Sequence, residues 1–177
     1  RIQCAVFELP NISDEIASSG GAHTCQVLVH TTLSQDNPAR NILQLSADAV
    51  VYYSRFLHLE DGTPIQLEER YVNASEAPEY LDQTFSARGP EAWLRRETVV
   101  TTVDNAIRAI RAEADIRQLL QIDANQPCLL VDRSTWRDEV PVTRSRFIYP
   151  GDRYRLRSAH DARTNRIALT PNFGTVR

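Results

Sequence analysis

Arg40-Asn-Ile-Leu-Gln-Leu-Ser-Ala47 and Arg117-Gln-Leu-Leu-Gln-Ile-Asp-Ala124 lie 77 residues apart, and at the same spacing Asp61-Gly-Thr-Pro-Ile65 lies over Asp138-Glu-Val-Pro-Val142. Six identities survive across the two stretches: Arg40/Arg117, Leu43/Leu120, Gln44/Gln121, Ala47/Ala124, Asp61/Asp138 and Pro64/Pro141. Each copy reads as a short helix, a strand, a tight turn and a returning strand. A unit of that kind cannot bury its apolar face alone, so the two copies are expected to share one core in a pseudo-symmetric α+β domain. Two matched hairpins around one cavity also make a receptor-like pocket the natural expectation.

Working outward from the repeat, Val50 to Leu59 and Pro64 to Val72 form the first hairpin about Asp61-Gly62, a dipeptide biased to two-residue turns. Counting back from that turn pairs Leu59 with Pro64, Leu57 with Gln66, Arg55 with Glu68 and Tyr53 with Arg70. The opposite face then carries Tyr52, Ser54, Phe56 and His58 against Ile65, Leu67, Glu69 and Tyr71. The second copy starts near Ala112, with a helix ending around Ile122, a strand over Pro127 to Arg137 and a return over Val140 to Tyr149. Upstream, Asn11-Ile-Ser-Asp14 caps a helix that Gly20-Gly21 ends, and Cys25 to Leu33 has strand alternation. Asn37-Pro38 opens the first repeat helix. Between the copies, Pro90 to Glu97 reads as a helix and the β-branched run Thr98 to Val103 as a strand. Residues 158 to 177 read as a loosely tied polar tail after a domain spanning 1 to 157.

A chain of 177 residues suffices for one domain with a real core. Its 42% hydrophobic and 24% charged content is ordinary for a soluble protein, and its longest apolar runs, such as Cys128-Leu-Leu-Val131, are far too short to cross a bilayer. Three scattered cysteines, Cys4, Cys25 and Cys128, do not form a disulfide framework, which favours a reducing cytoplasm. The net charge of −3 argues against a broad nucleic-acid footprint on this stretch. All 20 basic residues are Arg, Met is absent, and the chain opens on Arg1, so it is expected to be the C-terminal part of a longer protein.

The same counting places Arg133 opposite Arg144, with Arg146 two positions along that face. Like charges facing each other are destabilising unless something negative lies beside them, so this cluster reads either as an anion site or as surface arginines neutralised by Asp132, Asp138 or Glu139. Guanidinium planes suit a carboxylate or phosphate in bidentate geometry. Arg55 opposite Glu68 reads either as a register-fixing ion pair or as ligand contacts. His58 offers a donor and an acceptor, and Tyr149 a ring and a hydroxyl at a strand end. His23, Cys25 and His30 are close in sequence but lack a metal-ligand spacing, and no phosphate loop, nucleophile elbow or His-Glu-x-x-His helix occurs. Neither metal, cofactor nor catalytic nucleophile is expected.

Leu45 to His58, Asp61 to Asn73 and Gly151-Asp-Arg-Tyr-Arg-Leu156 together resemble the effector-binding UTRA domain of GntR-superfamily transcription regulators, over roughly residues 5 to 157. Ile65 to Asn73, Leu119 to Ala124, Pro127-Cys-Leu-Leu130 and Arg133-Ser-Thr-Trp136 are most similar to the histidine-utilisation repressor branch. The resemblance implies a chorismate-lyase-like α+β fold, a homodimer, a small-metabolite effector that is urocanate in that branch, and operator binding through an N-terminal winged helix-turn-helix. Many relatives hold arginines five and three residues before the turn aspartate; here Phe56 and His58 stand there, which favours a flat aromatic acid over a phosphate. By the same resemblance Thr143 and Tyr149 fall among ligand-contacting positions on the last strand, and Thr24 or Cys25 near a small hydroxyl position. His23, Arg55 and Arg146 match residues at equivalent places. The expected pose puts a carboxylate on Arg146 or Arg55 and a ring against Phe56, with His58, Thr143 or Tyr149 completing the hydrogen bonds. Two alternatives accompany it, a lyase acting on chorismate and a dimerisation module with a vestigial pocket.

Overall fold

A computed structural model describes residues 9–157, 160–161 and 166–167. The chain divides into two compact units, residues 9–154 and the two termini, 1–8 with 155–177. In the terminal unit the backbone of β7 (His160–Asp161) pairs antiparallel with that of β8 (Arg166–Ile167). The rest of the expected tail, like Cys4, lies outside the described residues.

The larger unit is built on one six-stranded antiparallel sheet. Its strands are β1 (His23–Thr32), β2 (Val51–Glu60), β3 (Thr63–Asn73), β4 (Thr102–Arg111), β5 (Pro127–Arg137) and β6 (Val140–Pro150), in the spatial order β1-β2-β3-β6-β5-β4. The two repeat hairpins, β2–β3 and β5–β6, meet through β3 and β6 at the centre, and β1 and β4 extend the two sides equivalently. The architecture is therefore the α+β duplication expected.

The repeated identities mark backbone needs. Gln44 and Gln121 both close their helical turns with φ 53°, and Asp61 and Asp138 open the hairpin turns at φ 49° and 55°. Leu43 and Leu120 are buried beneath them. Arg40 and Arg117 hydrogen-bond main-chain carbonyls, Arg40 those of Gln35, Ala47 and Ala49, and Arg117 that of Ala112. The first copy's helix is a 3₁₀ turn, Pro38–Leu43, whereas the second is α3 (Ala114–Leu120). The entry helix is α1 (Ile12–Ser18), capped by the Asn11 side chain accepting from the Ser13 amide at 3.2 Å. The linking helix is α2 (Glu91–Glu97). Thr98 to Thr101, expected as strand, precede β4 rather than belonging to it.

Register corrects the counting from the turns. A bulge between His58 and Leu59 leaves Ile65 unpaired, so that His58 faces Gln66, Phe56 faces Glu68 and Arg55 faces Glu69. The second hairpin has the same bulge 77 residues on, between Thr135 and Trp136, where Val142 is skipped. Arg133 then faces Ser145, and Arg144 faces Ser134, so the proposed Arg133–Arg144 opposition does not exist. Because side chains alternate faces, a one-residue slip exchanges the chemistry of the two faces of β3 and β6 relative to β2 and β5.

One face packs Leu57, Leu59, Leu67, Leu130 and Ile148 against Ile116 and Leu120 of α3. Burial of such side chains, each worth roughly 1.5–3 kcal/mol, anchors the sheet from that side. On the other face Phe56, Val72 and Cys25 lie under Tyr80, Phe85 and Leu94, from the segment that ends in α2. Beside this aromatic cluster lies a row of buried polar side chains.

Candidate functional site

His58, Gln66, Glu68 and Arg70 all project from β2 and β3 onto the face covered by α2, and none is more than 3% exposed. A buried charge is tolerable only when paired and hydrogen-bonded, and here every charge has a partner. His58 Nε2 bonds Glu68 Oε2 at 2.8 Å, Arg70 Nε donates to Glu68 Oε1 at 2.6 Å, and Arg70 Nη2 reaches Glu91 Oε2 at 2.8 Å. Glu91 also receives Arg133 Nη1 at 3.2 Å and Arg95 Nε at 3.0 Å. Burial works against charge on both carboxyls, yet the arginines outweigh it. Arg70, with help from His58, holds Glu68 below the ordinary carboxylate range; Arg70, Arg133 and Arg95 bring Glu91 down to about 2.

His23 completes the row. Its Nε2 lies 2.9 Å from His58 Nδ1 and the two rings stack at 5.2 Å. Burial, then His58 and Arg88, lower the His23 pKa to about 4, so its imidazole is neutral at physiological pH. With Glu68 ionised, His58 donates from Nε2. Gly89, at φ +76°, closes over the ring so tightly that a Cβ there would lie 2.7 Å from His58 Cε1.

Between the strands and the segment preceding α1 is a small cavity of about 20 Å³, lined by Leu9 to Ile12, His58, Gln66, Glu68, Arg88, Glu91, Arg133, Phe147 and Tyr149. A second cavity of about 350 Å³ shares Glu91 and Arg133 with it and continues past Arg70, Leu94, Arg95, Val103, Thr135 and Thr143. Two atoms in the wall of the small cavity are buried without a hydrogen-bond partner: Gln66 Oε1, an acceptor, and Arg133 Nε, a donor. Leaving such a group unsatisfied costs about 1–3 kcal/mol, which a ligand supplying the complementary atom recovers.

The residues expected from sequence divide accordingly. His58, Glu68 and Tyr149 line the small cavity, His23 supports His58, and Thr143 lines the larger chamber, its Oγ1 2.8 Å from Thr135 Oγ1. Phe56 is fully buried in the aromatic cluster, with Phe85 edge-on at 6.0 Å, and lines neither cavity. Thr24 is exposed and pairs with Leu59 on the opposite face; Cys25, its alternative, is the inward residue. Arg55 and Arg146 also belong to the opposite face, where both pair with Glu69, Arg55 also with Asp115 and Arg146 also with Asp132. The bulges are the reason: they turn Glu68 and Arg133 toward the cavity and leave Arg55 and Arg146 outside it.

Gln66, Arg70, Arg88 and Glu91 were not singled out by sequence. Only Glu91, an acid directly after Gly89-Pro90, carried any local signal of a special position. Among the described residues no group of three or more His, Cys, Asp or Glu forms a candidate metal site. His30 instead bonds Ser54 Oγ and the Leu81 carbonyl, and burial raises the Cys25 thiol to about 12. Likewise no described helix is long and apolar enough to span a membrane.

Comparison with known proteins bears on the family and the fold. The UTRA domain family model matches residues 18–155. The chain is 42% identical over 152 residues to the histidine utilization repressor of Pseudomonas putida, covering 86% of this chain and 61% of that protein. It is 34% identical over 154 residues to that of Klebsiella aerogenes, covering 87% and 64%. The chain thus spans under two thirds of these relatives. Among solved structures, the C-terminal domain of the histidine utilization repressor from Pseudomonas syringae pv. tomato superposes with a TM-score of 0.73 at 40% identity, over 79% of this chain and 99% of that one. PhnF from Mycobacterium smegmatis shares the fold, with a TM-score of 0.76 at 20% identity over 88% of this chain and 70% of that one. The histidine utilization relatives carry the name of a repressor, not of an enzyme.

Proposed function

This chain belongs to the UTRA domain family, and from that premise we propose that it is the effector-sensing domain of a bacterial transcriptional repressor whose effector is a small organic acid with an N–H at its far end, urocanate foremost. In this reading the domain works as a homodimer in the cytoplasm, and operator DNA is held by a winged helix-turn-helix upstream of it. The observation that carries the ligand class is the pair of unsatisfied atoms in one cavity wall, the Arg133 Nε donor and the Gln66 Oε1 acceptor. A carboxylate suits the first and an imidazole N–H the second. Urocanate offers both on one flat frame.

The charges fit as well. Arg70, Arg88, Arg95 and Arg133 outnumber Glu68 and Glu91 around the two cavities, so an added carboxylate meets a positive excess. Each charge-assisted hydrogen bond in a sheltered site contributes roughly 1.5–3 kcal/mol. The small cavity has room for about one water, so the ligand reaches Gln66 from the larger chamber by parting Glu91 from Arg133, or by displacing Leu9 to Ile12. The second route acts on the segment leading to the upstream chain. A coupling of about 1–3 kcal/mol changes operator affinity by about 5- to 150-fold.

The test is calorimetric titration of urocanate into the 177-residue chain, with thermal melting alongside. Saturable heat and a raised melting temperature are expected. No heat and no rise at millimolar urocanate would remove this effector. The chorismate-lyase alternative is tested by incubation with chorismate and assay for pyruvate, and none is expected to form.

A further inference from the structure

Pro10 and Arg88 are exposed, whereas the other residues lining the small cavity are buried or half-buried. The exposed pair therefore marks the mouth of that cavity. Pro10 belongs to the segment before α1, and Arg88 to the turn before α2. That turn is fixed at both ends. Phe85 packs in the aromatic cluster, Gly89 lies against the His58 ring, and the Gly89 amide donates to the Phe85 carbonyl at 2.9 Å. The backbone under Arg88 is thus held in place while its side chain stays in solvent.

The four arginines around the two cavities are not equivalent. Arg70, Arg95 and Arg133 all pair with Glu91, and Arg70 also pairs with Glu68. Arg88 makes no ion pair and no hydrogen bond among the described residues. Its charge is nonetheless felt inside, since after burial and His58 it is a cause of the lowered pKa of His23. A carboxylate has two oxygens to satisfy. Arg133 has Nη1 committed to Glu91 and offers its unsatisfied Nε to one of them. The other oxygen needs a second donor on the same cavity, and the unengaged fork of Arg88 supplies it.

We propose that Arg88 is a binding residue for the carboxylate of the effector, receiving it at the mouth and holding its outer oxygen while Arg133 holds the inner one. This rests on the sensing function proposed above and adds to it the second arm of the carboxylate site and the place of entry. A ligand that enters between Arg88 and Pro10 displaces the segment before α1 and leaves the bond between Arg133 and Glu91 intact.

The experiment compares the affinity of the 177-residue chain for urocanate with that for its carboxamide, which keeps the ring and the frame but carries no charge. Wild type is expected to prefer the acid by about tenfold or more. Arg88→Gln is expected to weaken urocanate by about 5- to 30-fold and the carboxamide by less than about twofold, so that the preference falls with the loss of acid binding. Arg88→Lys keeps the charge without the planar fork and is expected to lie between the two. Because the side chain is exposed, the melting temperature of the ligand-free chain is expected to stay the same in both variants. If wild type binds urocanate and Arg88→Gln binds it equally well, or weakens acid and carboxamide alike, Arg88 does not hold the carboxylate while urocanate sensing stands. If wild type binds no urocanate, the sensing reading falls and this inference falls with it.

Discussion

Replacing Gly89 by Ala tests the packing of the site with a built-in control. Gly62 and Gly89 both have left-handed backbones, at φ +81° and +76°. A Cβ at Gly62 meets nothing within 4 Å, whereas one at Gly89 would lie 2.7 Å from His58 Cε1. The backbone cost of a left-handed alanine, about 1–2 kcal/mol, is therefore common to Gly62→Ala and Gly89→Ala. The second variant must also push aside a ring held by bonds of 2.9 Å to His23 and 2.8 Å to Glu68. Loosening one neutral and one charge-assisted hydrogen bond adds about 2–3 kcal/mol. Urea unfolding should thus show Gly62→Ala losing about 1–2 kcal/mol and Gly89→Ala about 3–5 kcal/mol, a difference in midpoint of roughly 1 M or more. Gly89→Ala should also weaken urocanate binding, and Gly62→Ala should not. Equal losses of stability in the two variants would refute the claim that the loop locks His58.

Three further outcomes follow from the geometry. Arg133→Leu removes the unsatisfied donor and one partner of Glu91, and calorimetry should show urocanate affinity reduced by about 10- to 100-fold. Arg55→Gln, by contrast, breaks two ion pairs on the opposite face, with Glu69 and Asp115, and should change affinity by less than about twofold and stability by about 0–2 kcal/mol, seen by the same titration and by urea unfolding. Burial raises the Glu15 pKa to about 7 from an ordinary 4.5, against the opposing hydrogen bond from Tyr154. The folded state then holds a proton that the unfolded chain has already released. The associated stability is full below pH 4.5 and is lost as pH rises through 7. Relative to wild type, Glu15→Gln should gain about 2 kcal/mol between pH 5 and pH 8, after allowance for solvent screening of a half-buried carboxyl; parallel stability curves would exclude this.

The duplication was legible because the repeat conserves residues with backbone tasks, Gln44/Gln121 at left-handed helix ends and Asp61/Asp138 at the turns. The repeat, with its turn at Asp138-Glu139, located β5 to the residue, Pro127–Arg137. The matched bulges left no such mark. Ile65 and Val142 are ordinary strand residues, and only their burial at 5% and 0% distinguishes them as inserted wedges. Counting from the turns therefore assigned Glu68 and Arg133 to the wrong faces, and the anion-binding role fell to Arg55 and Arg146. Gln66 was invisible for a different reason: its importance lies in an atom left over after Tyr149 is satisfied, which depends on long-range contacts.

The shared bulge gives the two hairpins the same register, but their inward fittings are unlike. Seventy-seven residues on from Phe56, His58, Gln66, Glu68 and Arg70 stand Arg133, Thr135, Thr143, Ser145 and Phe147. Rotating a guest by half a turn about the pseudo-dyad would exchange the Arg70 guanidinium for the Phe147 ring and the His58 imidazole for the Thr135 hydroxyl. A symmetric diacid would thus meet a welcoming end and a mismatched end in either orientation, whereas a head-to-tail molecule has one seating that matches both. Duplication supplied the frame, and divergence between its halves gave that frame a direction.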